Sequence, residues 1–240
     1  MGAIGSDGKY GIVKEEMASQ PHEEVRKIQQ SLERRGISSI YHYTRIENLP
    51  SIFRHGGILC SAERRRLGII TVGGDWQRWG SRDRFQEMEE YVACSLEPPY
   101  GMLEKDLDAG YTLALCDIKA GLISREGTLF CPAWSSYREF NLEVLKERST
   151  AEHFDGMFPN PSSSEPKFYG AEILVKVSIP LLEIQRVYFT DKEKRDRAIR
   201  DCTRVIQEVG RRGVTIYFVI RPEVFKRPPD HYLKRQRFRR

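Results

Sequence analysis

The chain reads as an α+β protein: a mixed or antiparallel sheet core with helices on its flanks. Apolar runs of strand length recur as "YVACSL" (91–96), "YTLALCDI" (111–118), "AEILVKV" (171–177), "IQRVYF" (184–189) and "VTIYFVI" (214–220). Helical patterns stand among them without a regular βαβ rhythm. The 240 residues, 40% hydrophobic and 30% charged, suffice for one sizeable core.

Residues 1–18 carry no pattern of either period. "SQPHEEVRKIQQSLERRG" (19–36) predicts a helix, with Pro21 in its first turn, Val25, Ile28 and Leu32 on one face and Gly36 at its stop. "SSIYHY" follows as a strand. "ENLPSIFRHGG" is a short helix closed by Gly56 and Gly57; Pro50 belongs in its first turn, where no hydrogen bond is lost. "SSYREFNLEVLKER" predicts a helix with a capping box from Ser136 to Glu139. The stretch 149–170, with three prolines and a serine run, reads as a long loop of the functional or mobile kind. A last helix follows a box from Thr190 to Glu193 and carries a stripe of Ala198, Ile199, Cys202, Val205, Ile206 and Val209. The organisation expected is an N-terminal extension with one helix (1–36), a main domain (37–225) and a basic tail (226–240).

Composition excludes several classes. No apolar run approaches the ~18 residues of a membrane span, and no secretory signal opens the chain. A cytoplasmic protein without membrane contact is expected. Five cysteines form no C-x-x-C pair, which fits reduced core residues and no metal site. Phosphate loops, dinucleotide fingerprints, zinc-protease and hydrolase motifs are missing. The net charge of +5 sits in the last 20 residues, which hold eight Lys/Arg against two Asp/Glu. Such a tail, with Phe225, His231, Tyr232 and Phe238, can neutralise phosphates and stack on bases, or can be a solvated terminus.

Four local features carry chemistry. "IYHYT" (40–44) alternates His42 with Tyr41 and Tyr43 on a strand, where a histidine is more often an ordinary packed residue. "GGDWQRWGSRDRF" sets Arg78 between Trp76 and Trp79, a way to present a guanidinium to phosphate; the plain reading is an exposed loop with buried tryptophans. "LFCPAWSSYREF" offers Trp134 and Tyr137 as a base platform or as packing. Glu172 stands at the mouth of an apolar strand, where an unpartnered carboxylate is costly. It is either an edge residue with a partner or a group aimed into a cleft.

Together these blocks resemble the DarT family of DNA ADP-ribosyltransferases. "YHYTRIENLPSIFRHGGIL" is similar to the family's opening motif, "EYVACSLEPPYGML" to its "DYV-x-F…P-M-L" signature, and "GAEILV" to the block that carries its catalytic glutamate, with Gly170 in place of Gln. The blocks keep the family's order across about 40–220. The resemblance implies an ADP-ribosyltransferase fold, a split and mostly antiparallel β core that holds NAD+ in a cleft. NAD+ would be consumed as co-substrate, without a metal, and ADP-ribose would pass to a base of single-stranded DNA. It further implies a toxin restrained by a DarG-type macrodomain antitoxin. Glu172 would be the catalytic glutamate, and His42 and Thr44 would hold the nicotinamide side of NAD+. Tyr43, Asn48, Leu49 and Gly56 complete the expected NAD+ set. The family's catalytic arginine falls in "WQRWGSRDRF", where the spacing departs; Arg78 comes first, with Arg82 and Arg84 open. Arg82, Arg84, Trp134, Tyr137 and Lys167 are the expected DNA contacts. The target base, thymine or guanine, stays undecided. An RNA or protein acceptor, or a nucleic-acid-binding module without catalysis, remain rival readings.

Overall fold

The structure, a computed structural model, describes residues 23–73, 88–132, 142–168, 170–211 and 213–227. Its main sheet holds β1 (Ser39–Arg45), β3 (Tyr91–Ser95), β4 (Leu113–Lys119), β5 (Leu129–Cys131), β6 (Glu172–Lys176), β8 (Ile184–Phe189) and β9 (Tyr217–Ile220). Their spatial order is β5-β6-β3-β1-β4-β8-β9, and β2 (Gly57–Leu59) pairs separately with β7 (Ser178–Pro180). Every pair is antiparallel except β8 with β9. A parallel pair needs a long crossover, and the helix α7 (Lys192–Arg211) supplies it.

The sheet is covered on both faces, so its interior strand β4 is buried along six of seven positions. One face carries Ile40, Cys116, Ile173 and Val187, joined by Ile28 and Leu32 of α1 (Glu23–Arg35), Phe53 of α2 (Leu49–Arg54) and Ala198 and Cys202 of α7. The other face carries Leu113, Leu115 and Tyr188 under Leu103 of α4 (Tyr100–Asp108) and Phe225. The remaining helices are α3 (Ser61–Arg66), α5 (Leu142–Lys146) and α6 (Ala151–Gly156).

One seam of the sheet is nearly open. β1 pairs with β4 over seven residue pairs, but with β3 through a single pair, Tyr41 with Ser95. Beyond that point the two half-sheets diverge, which is the split the sequence resemblance implies.

Several expectations are corrected. The stretch 149–170 is not wholly loop: Thr150 accepts the His153 amide hydrogen at 3.3 Å and starts α6. The prolines that suggested a loop all lie beyond this one-turn helix, whose short apolar pattern of Ala151 and Phe154 hid it. The cap of α7 is Asp191, not Thr190. Its Oδ1 accepts from the Lys194 amide at 2.9 Å, while the Thr190 hydroxyl donates to Oδ2. Those bonds hold the Asp191 carboxyl down at about 2. Ile199 leaves the core stripe, at 37% exposure. The Ser136–Glu139 box lies outside the described residues. The short strands β2, β5 and β7 escaped notice because three residues show no period.

Candidate active site

The open seam continues into a cavity of about 520 Å³, a size typical of ligand sites. Its walls come from β1, α2, β2, α3, the 69–73 segment, β3, α4 and the first residue of β6. Register puts Asp117, Tyr41, Ser95, Glu172 and Cys131 side by side in one row on one face of the sheet. Glu172 therefore sits between two hydrogen-bonded strands, 6% exposed, and lines the cavity. A carboxylate so placed is stiff on both sides, the property a charge-stabilising group needs.

His42 lies across the seam. Its Nδ1 donates to the carbonyl of Ala93 at 2.9 Å, replacing a ladder bond that the diverging strands cannot make. Burial, then the bond to Ala93 and the Arg64 charge, set its titration, and the net effect lies below the usual 6.5. The ring is thus neutral near pH 7, and Nε2 remains as a hydrogen-bond acceptor. Tyr43 also lines the cavity, and burial beside Asp106 and Glu172 pushes its hydroxyl well above the usual 10. It remains a protonated donor throughout the physiological range.

Thr44 and Asn48 line the cavity as well, but the Asn48 amide is engaged in shaping it. Its Nδ2 donates to Thr44 Oγ1 at 3.2 Å and to the Val72 carbonyl at 3.1 Å, and its Oδ1 accepts from the Val72 amide at 2.8 Å. Asn48 therefore fastens the 67–73 rim rather than presenting a free amide. Leu49 is fully buried in the main core and does not reach the cavity. Gly56 is also outside the lining; its carbonyl accepts from the Leu181 amide at 2.9 Å. The neighbouring Gly57 is the lining residue, and a Cβ there would strike the Ile179 carbonyl. The motif residues Leu49 and Gly56 thus shape the site from behind.

Sequence reasoning missed Arg64. From α3 it enters the cavity wall, donating to Ser61 Oγ at 2.8 Å and to Thr71 Oγ1 at 3.0 Å. Its Nε is enclosed without a partner, and no acidic group among the described residues pairs with it. Burial lowers its proton affinity for that reason. Arg45, a second lining cation, stacks over Tyr111 at 3.6 Å. A pocket lined by Arg64 and Arg45, which have no acidic partner among the described residues, and by the rigid carboxylate of Glu172 suits a ligand that carries phosphates and develops positive charge elsewhere.

Arg78, Arg82, Arg84, Trp134 and Tyr137 lie outside the described residues. Lys167 is exposed and away from the cavity lining; its amide donates to the Met157 carbonyl at 2.7 Å. Among the described residues no cluster of three or more His, Cys, Asp or Glu could hold a metal, and no helix is long and apolar enough to cross a membrane.

Residues 41–225 match the family profile described as DarT, ssDNA thymidine ADP-ribosyltransferase. No curated protein sequence matches the chain. Among solved structures, Thermus sp. 2.9 DarT in complex with ADP-ribosylated ssDNA superposes with a TM-score of 0.55 at 15% identity, covering 79% of this chain and 97% of that one. The same Thermus protein in complex with carba-NAD+ gives 0.52 at 15%, over 79% and 98%. Thermosipho africanus DarTG in complex with ADP-ribose gives 0.54 at 20%, over 78% of this chain and 51% of that one, so the chain spans about half that protein's length. These likenesses establish the fold, and α1 stands before the segment that the profile matches. By that match the chain belongs to the DarT family of single-stranded DNA thymidine ADP-ribosyltransferases.

Proposed function

We propose that this protein moves ADP-ribose from NAD+ to thymidine in single-stranded DNA, with Glu172 as the catalytic carboxylate. One observation supports this most directly. Glu172 is fixed between two strands in the same cavity as Arg64, a cation with no acidic partner among the described residues. Arg64 takes a pyrophosphate oxygen of NAD+, and His42 Nε2 accepts from a ribose hydroxyl. The bond between the ribose C1′ and the nicotinamide nitrogen breaks, and its electron pair leaves with neutral nicotinamide. The sugar becomes oxocarbenium-like, as in glycoside hydrolysis. Glu172 faces that charge and stabilises the transition state more than the ground state.

The acceptor nitrogen then bonds to C1′ and releases its proton. In thymidine the imide is the one nitrogen that carries a hydrogen, and Glu172 accepts it as the new bond forms. Such a nitrogen is paired and stacked in a duplex, so a single strand is the fitting substrate. A partner belongs to the same reading: a DarG-type macrodomain that removes the modification and restrains the chain as a toxin. The half-length match to a DarTG protein supports it, and rescue of growth on co-expression of such a macrodomain is the check.

Labelled NAD+ with thymidine-containing and thymidine-free oligonucleotides tests the reaction. Label on the former alone is expected, and label on protein alone overturns the reading. Glu172→Gln lowers transfer by about 100-fold or more while NAD+ binding persists. Transfer at the unaltered rate would remove Glu172 from the chemistry.

A further inference from the structure

Helix α1 precedes the family match, yet it grips the segment that leads to Glu172. Glu24 caps α6, accepting from the Ala151 amide at 2.8 Å. At the other end of α1, the Arg35 side chain is 2% exposed and fully bonded. It donates to Asp155 Oδ1 at 2.8 Å, to the Asn160 carbonyl at 2.7 Å and to the Ser163 carbonyl at 2.9 Å. Its guanidinium also covers the Phe158 ring at 4.0 Å. The loop 157–167, closed by Lys167 on Met157, is wrapped around this group, with one further bond from Arg34 Nε to the Pro161 carbonyl at 3.3 Å.

Two routes connect that loop to the carboxylate. The chain itself passes through Gly170, at φ +81°, and Ala171, which is 3% exposed, into Glu172. A run of aromatic contacts also leads from Phe158 edge-on to Phe154 at 5.2 Å and on, tilted, to Phe130 at 5.1 Å. Phe130 is the register partner of Ile173, next to Glu172.

We infer that Arg35 is a positioning residue that sets Glu172 through the 157–168 loop, so that α1 is part of the catalytic machinery of this chain. The inference rests on Glu172 acting as proposed above. A displaced reacting group costs on the order of 100-fold per ångström, so a small relaxation of the loop is measurable in turnover.

Arg35→Lys in the full-length protein is the discriminating variant. Lysine keeps a charge here, but its single nitrogen cannot serve Asp155 on one side and both loop carbonyls on the other, as Nη2 and Nη1 of the guanidinium do. Expected is a fall in kcat of roughly 10-fold, both for NAD+ hydrolysis without DNA and for transfer to a thymidine oligonucleotide, with KM for NAD+ within about twofold. Asp155→Asn is the control: it weakens the α1–α6 pair but leaves the loop carbonyls on Arg35, so it lowers Tm and spares kcat. If Arg35→Lys fails to fold, Phe158→Leu loosens the same loop and decides by the same readouts. Unchanged kcat well below Tm overturns the inference, as does a raised oligonucleotide KM with intact hydrolysis. Inactive wild-type protein would instead remove the underlying reading.

Discussion

Two arginines, one in the α1 clamp and one in the cavity wall, show what burial of the same side chain means in two settings. Arg35 has an acid, two carbonyls and a ring around it. Arg64 has two hydroxyls, no acid among the described residues and an enclosed Nε without a partner. The first is complete, so its bonds hold structure. The second is incomplete, and such a deficit is tolerated where a ligand closes it.

Denaturation distinguishes the two most sharply. Arg35→Met leaves two loop carbonyls without their donor, while Asp155 keeps Ser31 and Arg34, and costs about 2–3 kcal/mol. Arg64→Met removes a desolvated charge that no acid among the described residues neutralises, so without NAD+ its stability stays within about 1 kcal/mol of wild type. Urea unfolding of both variants measures this; equal losses would erase the contrast.

Ligand linkage then inverts the order. NAD+ at a hundred times its Kd stabilises wild-type protein by about 2.7 kcal/mol. Arg64→Met loses a charged hydrogen bond worth about 1.5–3 kcal/mol, so Kd rises roughly 10- to 100-fold and most of the shift disappears. Full NAD+ stabilisation of the variant would assign the phosphates to another group.

These two arginines also show how far sequence reading reaches. The places of Glu172 and His42 in the cavity wall were legible, the first because a carboxylate ahead of an apolar run needs a reason, the second because it interrupts two tyrosines on a strand. Arg35 and Arg64 were not, because each hides in a run of basic residues, "RR" at 34–35 and "RRR" at 64–66. Arg65 and Arg66 are exposed and pair with Glu89 and Glu63, as a solvated helix face does. Only the packing of α3 and α1 decides which member turns inward. Asn48 and Leu49 stood out as motif residues, but a motif reports a constraint without saying whether the side chain touches ligand or builds the wall. The strands of the sheet were legible wherever they exceeded three residues.

Acid titration probes the seam between the half-sheets. The folded value of His42 lies below the 6.5 of an unperturbed histidine. The unfolded chain therefore binds the proton first as pH falls. The His42 contribution is fully present above about pH 6.5 and is lost as pH drops toward the folded value, on the order of 1 kcal/mol per pH unit inside that window. His42→Gln keeps a donor for Ala93 and removes this slope. A slope that survives the substitution would place the titrating group elsewhere.

The smallest effect expected lies at the far end of β6 from Glu172. Val177 adopts φ +66°, a left-handed conformation that a β-branched residue reaches only under strain. It is held there because its amide donates to Glu90 at 2.7 Å and its carbonyl accepts from Cys60 at 2.8 Å, which turns the chain from β6 into β7. The residue is 45% exposed, so little packing opposes loss of its side chain. Val177→Gly relieves the strain but gives the unfolded chain more freedom, for a net gain of about 0.5–1 kcal/mol. Chemical denaturation measures the gain, and turnover measures whether the strain does more than shape a turn. Unchanged kcat confines β6 positioning to the clamp at its Glu172 end. A fall in kcat would mean that both ends of the strand set the carboxylate, and the Arg35 contribution would then be only half of the device.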